Sequence, residues 1–242
     1  MNHAIFLSGG TGTRTGSDIP KQYTRAGGYM MVTYALKTIT ECEYVDDVYI
    51  VADDGWMDAI IADAAKAGID VAKIKGHALP GENRQSSVLN GMNEILKNFS
   101  ALADESNIGE ADTVLIHDAA RPYLDTKLLN DCYKALPGYD GVMPVVPMKD
   151  TVYLSDDGKS VSALLDRSKI YAGQAPELFL FKKYYAANTA LLPDRILAIN
   201  GATEPAIMAG MNIAMIPGNE KNCKVTTAAD LERFKQIKEE VQ

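Results

Sequence analysis

A glycine-rich segment near the start of the sequence combines residue types that can bind phosphate. It reads Ser8-Gly9-Gly10-Thr11-Gly12-Thr13-Arg14, and Lys21 follows shortly after it. Glycines in a turn allow backbone N–H groups to approach phosphate oxygens without interference from a Cβ atom. Arg14 and Lys21 would add two positive charges to such a turn. The segment therefore predicts a polyphosphate-binding loop, and a solvated surface turn is the alternative.

Two widespread phosphate-binding motifs do not fit this loop. The dinucleotide-binding pattern GxGxxG, started at Gly10, requires a glycine where Thr15 stands. The pattern GxxxxGK[ST] fails from every glycine of the loop. The loop alone therefore indicates phosphate binding without identifying the nucleotide.

Short apolar runs alternate with helical patterns along the chain. The runs predict buried strands at 4–7, 48–51, 71–74, 114–116, 142–146 and 213–216. Apolar spacing predicts helices over 56–66 and 83–99, and Thr226 or Thr227 is the predicted N-cap of a last helix. This alternation predicts an α/β fold with a doubly wound, mostly parallel, Rossmann-like sheet of about seven strands. The glycine-rich loop follows the first strand, so it should lie at the carboxyl edge of the sheet, where such folds bind ligands.

The segment 149–171 interrupts this alternation. It reads as two strands joined by a turn at Ser155-Asp156-Asp157-Gly158, which is a hairpin signal. We expect the hairpin to project from the domain as an arm and to pair with a second subunit.

Composition limits the partners and the compartment. The chain has 242 residues, of which 47% are hydrophobic, and its formal net charge is −8. That size and composition predict a folded protein with a single domain over 1–242, and the charge argues against nucleic-acid or membrane partners. The cysteines Cys42, Cys132 and Cys223 form no CxxC pair, so no disulfide framework or zinc site is expected. No signal peptide or membrane-spanning run is recognisable, which predicts a cytoplasmic location.

Several motifs together resemble one family. The glycine-rich loop followed by Pro20-Lys21-Gln22-Tyr23 is similar to the signature of the cytidylyltransferases that act on sugar-alcohol phosphates, the methylerythritol-phosphate and ribitol-5-phosphate enzymes. Further motifs of that family follow in its order, at 81–88 (GENRQSSV), 117–122 (HDAARP), 149–151 (KDT), 166–167 (DR) and 222–226 (NCKVT). The resemblance extends from residue 4 to about residue 235. It implies transfer of CMP from CTP to a sugar-alcohol phosphate with release of pyrophosphate, with Mg²⁺ as cofactor and a homodimer as the assembly.

The resemblance also implies roles for individual residues. Arg14, Lys21 and Lys224 would be catalytic. The residues expected to bind CTP are Leu7, Ser8, Gly9, Gly10, Gly12, Thr13, Gly81, Glu82, Arg84, Ser87 and Asp118. The residues expected to bind the acceptor are Asp118, Arg121, Thr151, Arg167 and Glu204. Asp118 is also the candidate ligand for Mg²⁺.

The sequence departs from the family pattern at three places, and two of them lie on the acceptor side. Thr15 stands where the family usually has Met, Ala175 replaces a Thr, and Glu204 with Pro205 replaces an Asp followed by a small or acidic residue. The acceptor is therefore open between methylerythritol 4-phosphate, ribitol 5-phosphate and another polyol phosphate. Two alternative functions are a UTP- or GTP-dependent sugar-phosphate nucleotidyltransferase and a nucleotide-binding member without turnover.

Overall fold

The structure, a computed structural model, describes residues 1–10, 19–100 and 108–240, with the main chain alone at 99–100. Strands and helices alternate along most of the chain. The strands are β1 (Asn2–Leu7), β2 (Arg25–Ala26), β3 (Tyr29–Met30), β4 (Asp47–Val51), β5 (Ile74–Ala78), β6 (Thr113–Asp118), β7 (Gly141–Pro147), β8 (Val152–Leu154), β9 (Ala163–Leu165), β10 (Tyr171–Gly173), β11 (Glu177–Leu180) and β12 (Ile213–Pro217). The helices are α1 (Met31–Glu41), α2 (Asp54–Lys66), α3 (Arg84–Ser100), α4 (Thr126–Ala135), α5 (Phe181–Thr189), α6 (Thr203–Met208) and α7 (Ala228–Glu239).

One mostly parallel sheet forms the centre of the molecule. Its strands follow the order β10-β7-β11-β6-β1-β4-β5, and β12 pairs with β7 as a further member. β1 is parallel to both β4 and β6, whereas β11 is antiparallel to β6 and β7. The predicted fold class is therefore confirmed. The single domain over 1–242 stays a prediction, although the first strand, β1, and the last, β12, belong to the same sheet.

Helices cover both faces of the sheet. Successive side chains of a strand point to opposite faces, so in β1 Phe6 packs into one apolar cluster and Ile5 into the other. The cluster around Phe6 contains apolar side chains of α1, α2 and α4, and the cluster around Ile5 contains those of α3, α5 and α6. Both faces are thus buried, which explains why the central strands read as continuous apolar runs.

The predicted strand at 71–74 was wrong in position. Val71–Lys73 is a 3₁₀ turn, because the side chain of Asp70 accepts a hydrogen bond from the backbone N–H of Ala72 and favours a local turn. The strand begins at Ile74 instead. At the other end of the chain, Thr227 is the N-cap of α7 and forms a capping box with Asp230.

The predicted hairpin is confirmed as the pair β8 and β9. Its register joins Val152 to Leu165 and Leu154 to Ala163. At its tip the Asp157 carboxylate accepts hydrogen bonds from the backbone N–H groups of Lys159 and Ser160. We call the segment from residue 149 to residue 171 the arm. Its dimer contact stays a prediction.

The described helices, cysteines and acidic side chains bear on membranes, disulfides and metals. Over the described ranges, no helix combines the length and the apolar character needed to cross a membrane. All three cysteines are free thiols, two of them buried and Cys223 exposed. Within the same ranges no cluster of three or more His, Cys, Asp or Glu side chains could by itself hold a metal ion.

Candidate active site

A cavity of about 440 Å³ opens at the carboxyl ends of the parallel strands. Leu7 ends β1, Asp118 ends β6, and the segment after β5 supplies the facing wall. All the described residues with a predicted nucleotide or catalytic role line this cavity: Leu7, Ser8, Gly9, Gly10, Lys21, Gly81, Glu82, Arg84, Ser87, Asp118 and Lys224. Segments that are far apart in sequence thus meet where a doubly wound sheet binds its ligand.

The start of the glycine-rich loop is held from both sides. A Cβ atom added at Gly9 would lie 2.2 Å from Cγ of Pro80, so only glycine fits this close approach. The Gln22 side-chain amide donates to the carbonyls of Ser8 at 2.6 Å and Gly10 at 2.7 Å. Tyr23 donates to the Ser8 carbonyl and stacks on Trp56, with ring centroids 4.1 Å apart. The described start of the loop, Ser8–Gly10, is therefore held in place before a ligand binds, which lowers the entropy cost of binding.

The opposite wall is a turn that leads into α3. Ser87 accepts a hydrogen bond from the Gly81 N–H at 3.0 Å and donates to the Asn83 carbonyl at 2.9 Å. Its single hydroxyl proton is thus used within the turn, so Ser87 can meet a nucleobase only as an acceptor. Asn83 donates to the carbonyl of Ile196 at 2.9 Å, which ties the turn to a neighbouring segment.

Four charged side chains meet at the end of this wall. Arg84 donates through Nε to Oδ1 of Asp118 at 2.9 Å and through Nη2 to Oε2 of Glu177 at 3.1 Å. Lys224 donates to Oδ2 of Asp118 at 2.8 Å. Arg84, Asp118 and Lys224 line the cavity, and Glu177 lies behind Arg84. We call these four residues the charge cluster.

Two members of the charge cluster, Asp118 and Arg84, stabilise each other in their charged forms. Burial alone would raise the pKa of Asp118, but the cations of Arg84 and Lys224 outweigh it and hold that pKa far below its usual range. Burial would likewise lower the pKa of Arg84, but the carboxylates of Asp118 and Glu177 raise it. The Asp118 carboxylate therefore lies between the Arg84 guanidinium and the Lys224 ammonium group at the cavity wall.

A buried residue beside the cluster is neutral. Burial lowers the pKa of His117 to about 4, and its Nε2 atom lies 3.1 Å from the Arg121 carbonyl. Arg121 in turn donates through Nη1 to the carbonyl of Asn222 at 2.7 Å, and Asn222 donates to the carbonyl of Ala175. These bonds hold the loop that carries Lys224 against the sheet.

Of the residues predicted to bind the acceptor, Asp118 lines this cavity and the other four do not. Among the described residues that line it, Arg121, Thr151, Arg167 and Glu204 are absent. Thr151 and Arg167 are exposed on the arm, where Arg167 donates to the Lys149 carbonyl. Glu204 accepts a hydrogen bond from the backbone N–H of Asn200. Their roles stay predictions.

Three of the predicted site residues lie outside the described ranges, and four residues without a predicted role contact the site. Gly12, Thr13 and Arg14 lie outside the described residues. The sequence reasoning did not single out Gln22, Pro80, Asn83 or Glu177, which contact the loop, the turn or the charge cluster. Asn83 and Pro80 carried a signal, because Asn and Pro are typical of the turn before a helix. Glu177 carried none, since it lies in an apolar strand outside the recognised motifs.

Comparison with known proteins identifies the family. The family model described as IspD: 2-C-methyl-D-erythritol 4-phosphate cytidylyltransferase matches residues 2–240. The bifunctional enzyme IspD/IspF of Maricaulis maris is 32% identical over 95% of this chain and 55% of its own length. A ribitol-5-phosphate cytidylyltransferase of Lacticaseibacillus paracasei is 27% identical over 97% of both chains.

A solved structure agrees with the fold. The 2-C-methyl-D-erythritol 4-phosphate cytidylyltransferase of Francisella tularensis has a TM-score of 0.77 at 23% identity, covering 97% of this chain and 98% of that one. The chain spans about half the length of the bifunctional relatives that it matches. The match to the family model nevertheless covers nearly every residue of the chain. The chain therefore belongs to the 2-C-methyl-D-erythritol 4-phosphate cytidylyltransferase family, enzymes of CTP-dependent transfer to a sugar-alcohol phosphate.

Proposed function

We propose that this domain transfers CMP from CTP to a sugar-alcohol phosphate and releases pyrophosphate. The observation that supports this most is the meeting of Ser8–Gly10, the turn at 80–84, Asp118 and Lys224 on one cavity. We call this set, together with Lys21 and Ser87, the nucleotide wall. It offers backbone donors for a polyphosphate, cations beside them and a polar turn for a base.

The proposed chemistry depends on position and charge. The phosphate oxygen of the acceptor attacks the α-phosphorus of CTP in line, and the bond from that phosphorus to the departing pyrophosphate breaks. Such a transfer needs little covalent help from the protein. Lys21 and Lys224, with Arg14, would stabilise the negative charge that develops on the α-phosphate and on the leaving group. The neighbouring Asp118 holds Lys224 in place.

The nucleotide wall fits a magnesium ion that is held mainly by the substrate. Mg²⁺ binds one or two protein carboxylates and otherwise phosphates and waters. Asp118 is ionised and accepts one hydrogen bond on each oxygen, so each oxygen keeps a lone pair. Asp118 would therefore be the protein ligand, and bound Mg²⁺ would neutralise charge on the phosphates.

We also propose a homodimer formed through the arm. Apolar side chains on the arm are exposed, including Tyr153 at 58%, Leu154 at 47% and Leu164 at 67%. A second copy of the chain would bury this surface. It would also bring Thr151 and Arg167 of one subunit towards the cavity of the other, where the acceptor would bind. Since CTP is an intracellular metabolite, we propose the cytoplasm as the site of the reaction.

The test is a matrix of nucleotides and acceptors. Pyrophosphate release is measured with Mg²⁺ and CTP, UTP or GTP against methylerythritol, ribitol, erythritol and glycerol phosphates. We expect release with CTP and at least one polyol phosphate. Release with UTP or GTP alone would instead support a UTP- or GTP-dependent sugar-phosphate nucleotidyltransferase. Tight CTP binding with no release from any acceptor would identify a nucleotide-binding member without turnover.

A further inference from the structure

Glu177 is a buried carboxylate behind the cavity wall. It begins β11, pairs in register with Ile116 of β6, and its side chain is 10% exposed. A buried carboxylate is costly unless its oxygens are paired. Both oxygens of Glu177 are paired, and their hydrogen-bond partners lie in two different parts of the molecule.

One oxygen faces the nucleotide wall and the other faces a separate helix. Oε2 accepts from Nη2 of Arg84 at 3.1 Å. Oε1 accepts from the hydroxyl of Thr203 at 2.8 Å and from its backbone N–H at 3.2 Å. Thr203 is the first residue of α6, and the next residue is Glu204, the predicted acceptor residue. Glu177 therefore joins the nucleotide side to the acceptor side of the proposed reaction.

The Arg84 guanidinium shows why this carboxylate matters. Nε and Nη2 lie on the same edge of the guanidinium group, an edge that can hold one carboxylate with two hydrogen bonds. Here that edge is divided, because Nε bonds to Asp118 and Nη2 bonds to Glu177. Glu177 thus takes the Nη2 donor that Arg84 could otherwise direct to Asp118, and Arg84 meets Asp118 through Nε alone. The second oxygen of Asp118 accepts from Lys224, with no Arg84 donor beside it.

We propose that Glu177 is a positioning residue for the transfer reaction. It fixes Arg84 and, through Arg84, the orientation of Asp118 and the location of the Lys224 ammonium group. It does so from outside the cavity, and it couples this arrangement to the first turn of α6. This inference rests on the proposed function, because Lys224 and Asp118 are assigned there to the reacting phosphates.

The main variant is Glu177→Gln, which keeps the size of the side chain and removes its charge. Arg84 keeps Asp118 as a partner in this variant, so the half-buried guanidinium is not left unpaired. We expect kcat to fall about tenfold, on the scale of a small misplacement of a catalytic group. The KM for CTP should stay within about twofold, since the loop that holds the phosphates is untouched. An unchanged kcat would overturn the proposal.

A second variant separates charge from packing. Glu177→Asp keeps the charge but shortens the side chain, so it should retain more activity than Glu177→Gln if charge positions Arg84. If Glu177 only fills space, the isosteric Glu177→Gln should be the better enzyme, and that ranking would overturn the proposal. Glu110→Gln, which removes a carboxylate from an exposed pair with Lys182, is the control for loss of one negative charge. Melting temperatures are measured for all variants.

An assay without turnover tests the positioning of Lys224 by Glu177 separately from the proposed function. Cys223 is exposed and precedes Lys224, whereas Cys42 and Cys132 are buried. Its rate of reaction with a chromogenic aryl disulfide reports on the conformation of this loop. We expect Glu177→Gln to change that rate at least about threefold, because Lys224 loses part of its hold on Asp118. If the wild-type chain releases no pyrophosphate, the proposed function fails. The thiol assay still decides the inference in that case: a changed rate in Glu177→Gln supports the positioning of Lys224 by Glu177, and an unchanged rate overturns it.

Discussion

The nucleotide wall and the residues predicted to bind the acceptor are organised in different ways. In the nucleotide wall, each described charged side chain of the cluster has a partner within the chain, and the loop at Ser8–Gly10 is held by Gln22 and Pro80. On the acceptor side, Thr151 and Arg167 are exposed on the arm, away from the cavity. One half of the site is assembled by the fold itself. We propose that Thr151 and Arg167 join the site only through a second subunit, a bound substrate or both.

The largest effect is expected in the nucleotide wall. Lys21→Ala and Lys224→Ala should each lower kcat about 10²-fold or more, because each removes a positioned charge from the transition state. We expect a loss of the same size for Arg14→Ala, from the catalytic role that the family resemblance implies. The measurement is steady-state pyrophosphate release with circular dichroism as a check on folding. Lys182→Ala, which removes an exposed lysine paired with Glu110, is the control. Rates near wild type in the three variants would contradict the catalytic role proposed for these cations.

Next in size is a pH effect at the border between the two regions. Burial lowers the pKa of His117 to about 4 in the folded protein, against 6.5 for a histidine in an unfolded chain. The unfolded chain then binds more protons between those values, so stability falls as the pH drops through this window. Between pH 7 and pH 5 this residue should cost about 2 kcal/mol of the free energy of unfolding.

Urea unfolding at several pH values measures the His117 effect. His117→Gln removes the titrating group, so its stability should depend less steeply on pH than that of the wild type. Burial of the neutral ring is the physical cause of the shift, and other groups that titrate in this range are common to both proteins. Identical slopes for the two proteins would contradict the assignment.

An intermediate effect is expected on the acceptor side. Leu164→Glu places a charge on the exposed apolar surface of the arm, so the proposed dimer should dissociate, as measured by light scattering. If Arg167 contacts the acceptor across the dimer, dissociation in Leu164→Glu removes that charge-assisted contact, and the KM for the acceptor should rise about tenfold. The affinity for CTP should not change. A wild-type chain that is monomeric at assay concentrations would remove the basis for the arm contact, and Lys159→Ala at the arm tip is the control.

The smallest effect concerns the fit of the loop. Gly9→Ala would bring a methyl group against Pro80, and this overpacking of about 1 kcal/mol should weaken CTP binding about fivefold. At Gly10 an added Cβ meets no described atom within 4 Å, so Gly10→Ala is the matched control. Calorimetric titration with CTP compares the two. Equal affinities would show that the loop moves aside from Pro80 at no cost.

The comparison also shows what the sequence could predict. Ser8–Gly10, Asp118 and Lys224 were predictable because strand ends in a parallel sheet meet at one edge and because their motifs are specific. The strand at 71–74 was not, since Asp70 favours a turn there through a side-chain bond to the backbone. Glu177 was also beyond reach, because its role arises from an antiparallel strand that brings it behind Arg84. Contacts of that kind depend on tertiary packing, and local sequence patterns do not predict them.

The central claim is that the nucleotide wall places the α-phosphorus of CTP for transfer. Two parallel reactions with Mg²⁺ and a reactive polyol phosphate, one with CTP labelled at the α-phosphate and one with the label at the γ-phosphate, test it most directly. The account predicts that the α-label enters a product containing the acceptor and that the γ-label enters pyrophosphate in equal amount. Transfer of the γ-label to the acceptor, or release of the α-label as free CMP, would contradict it.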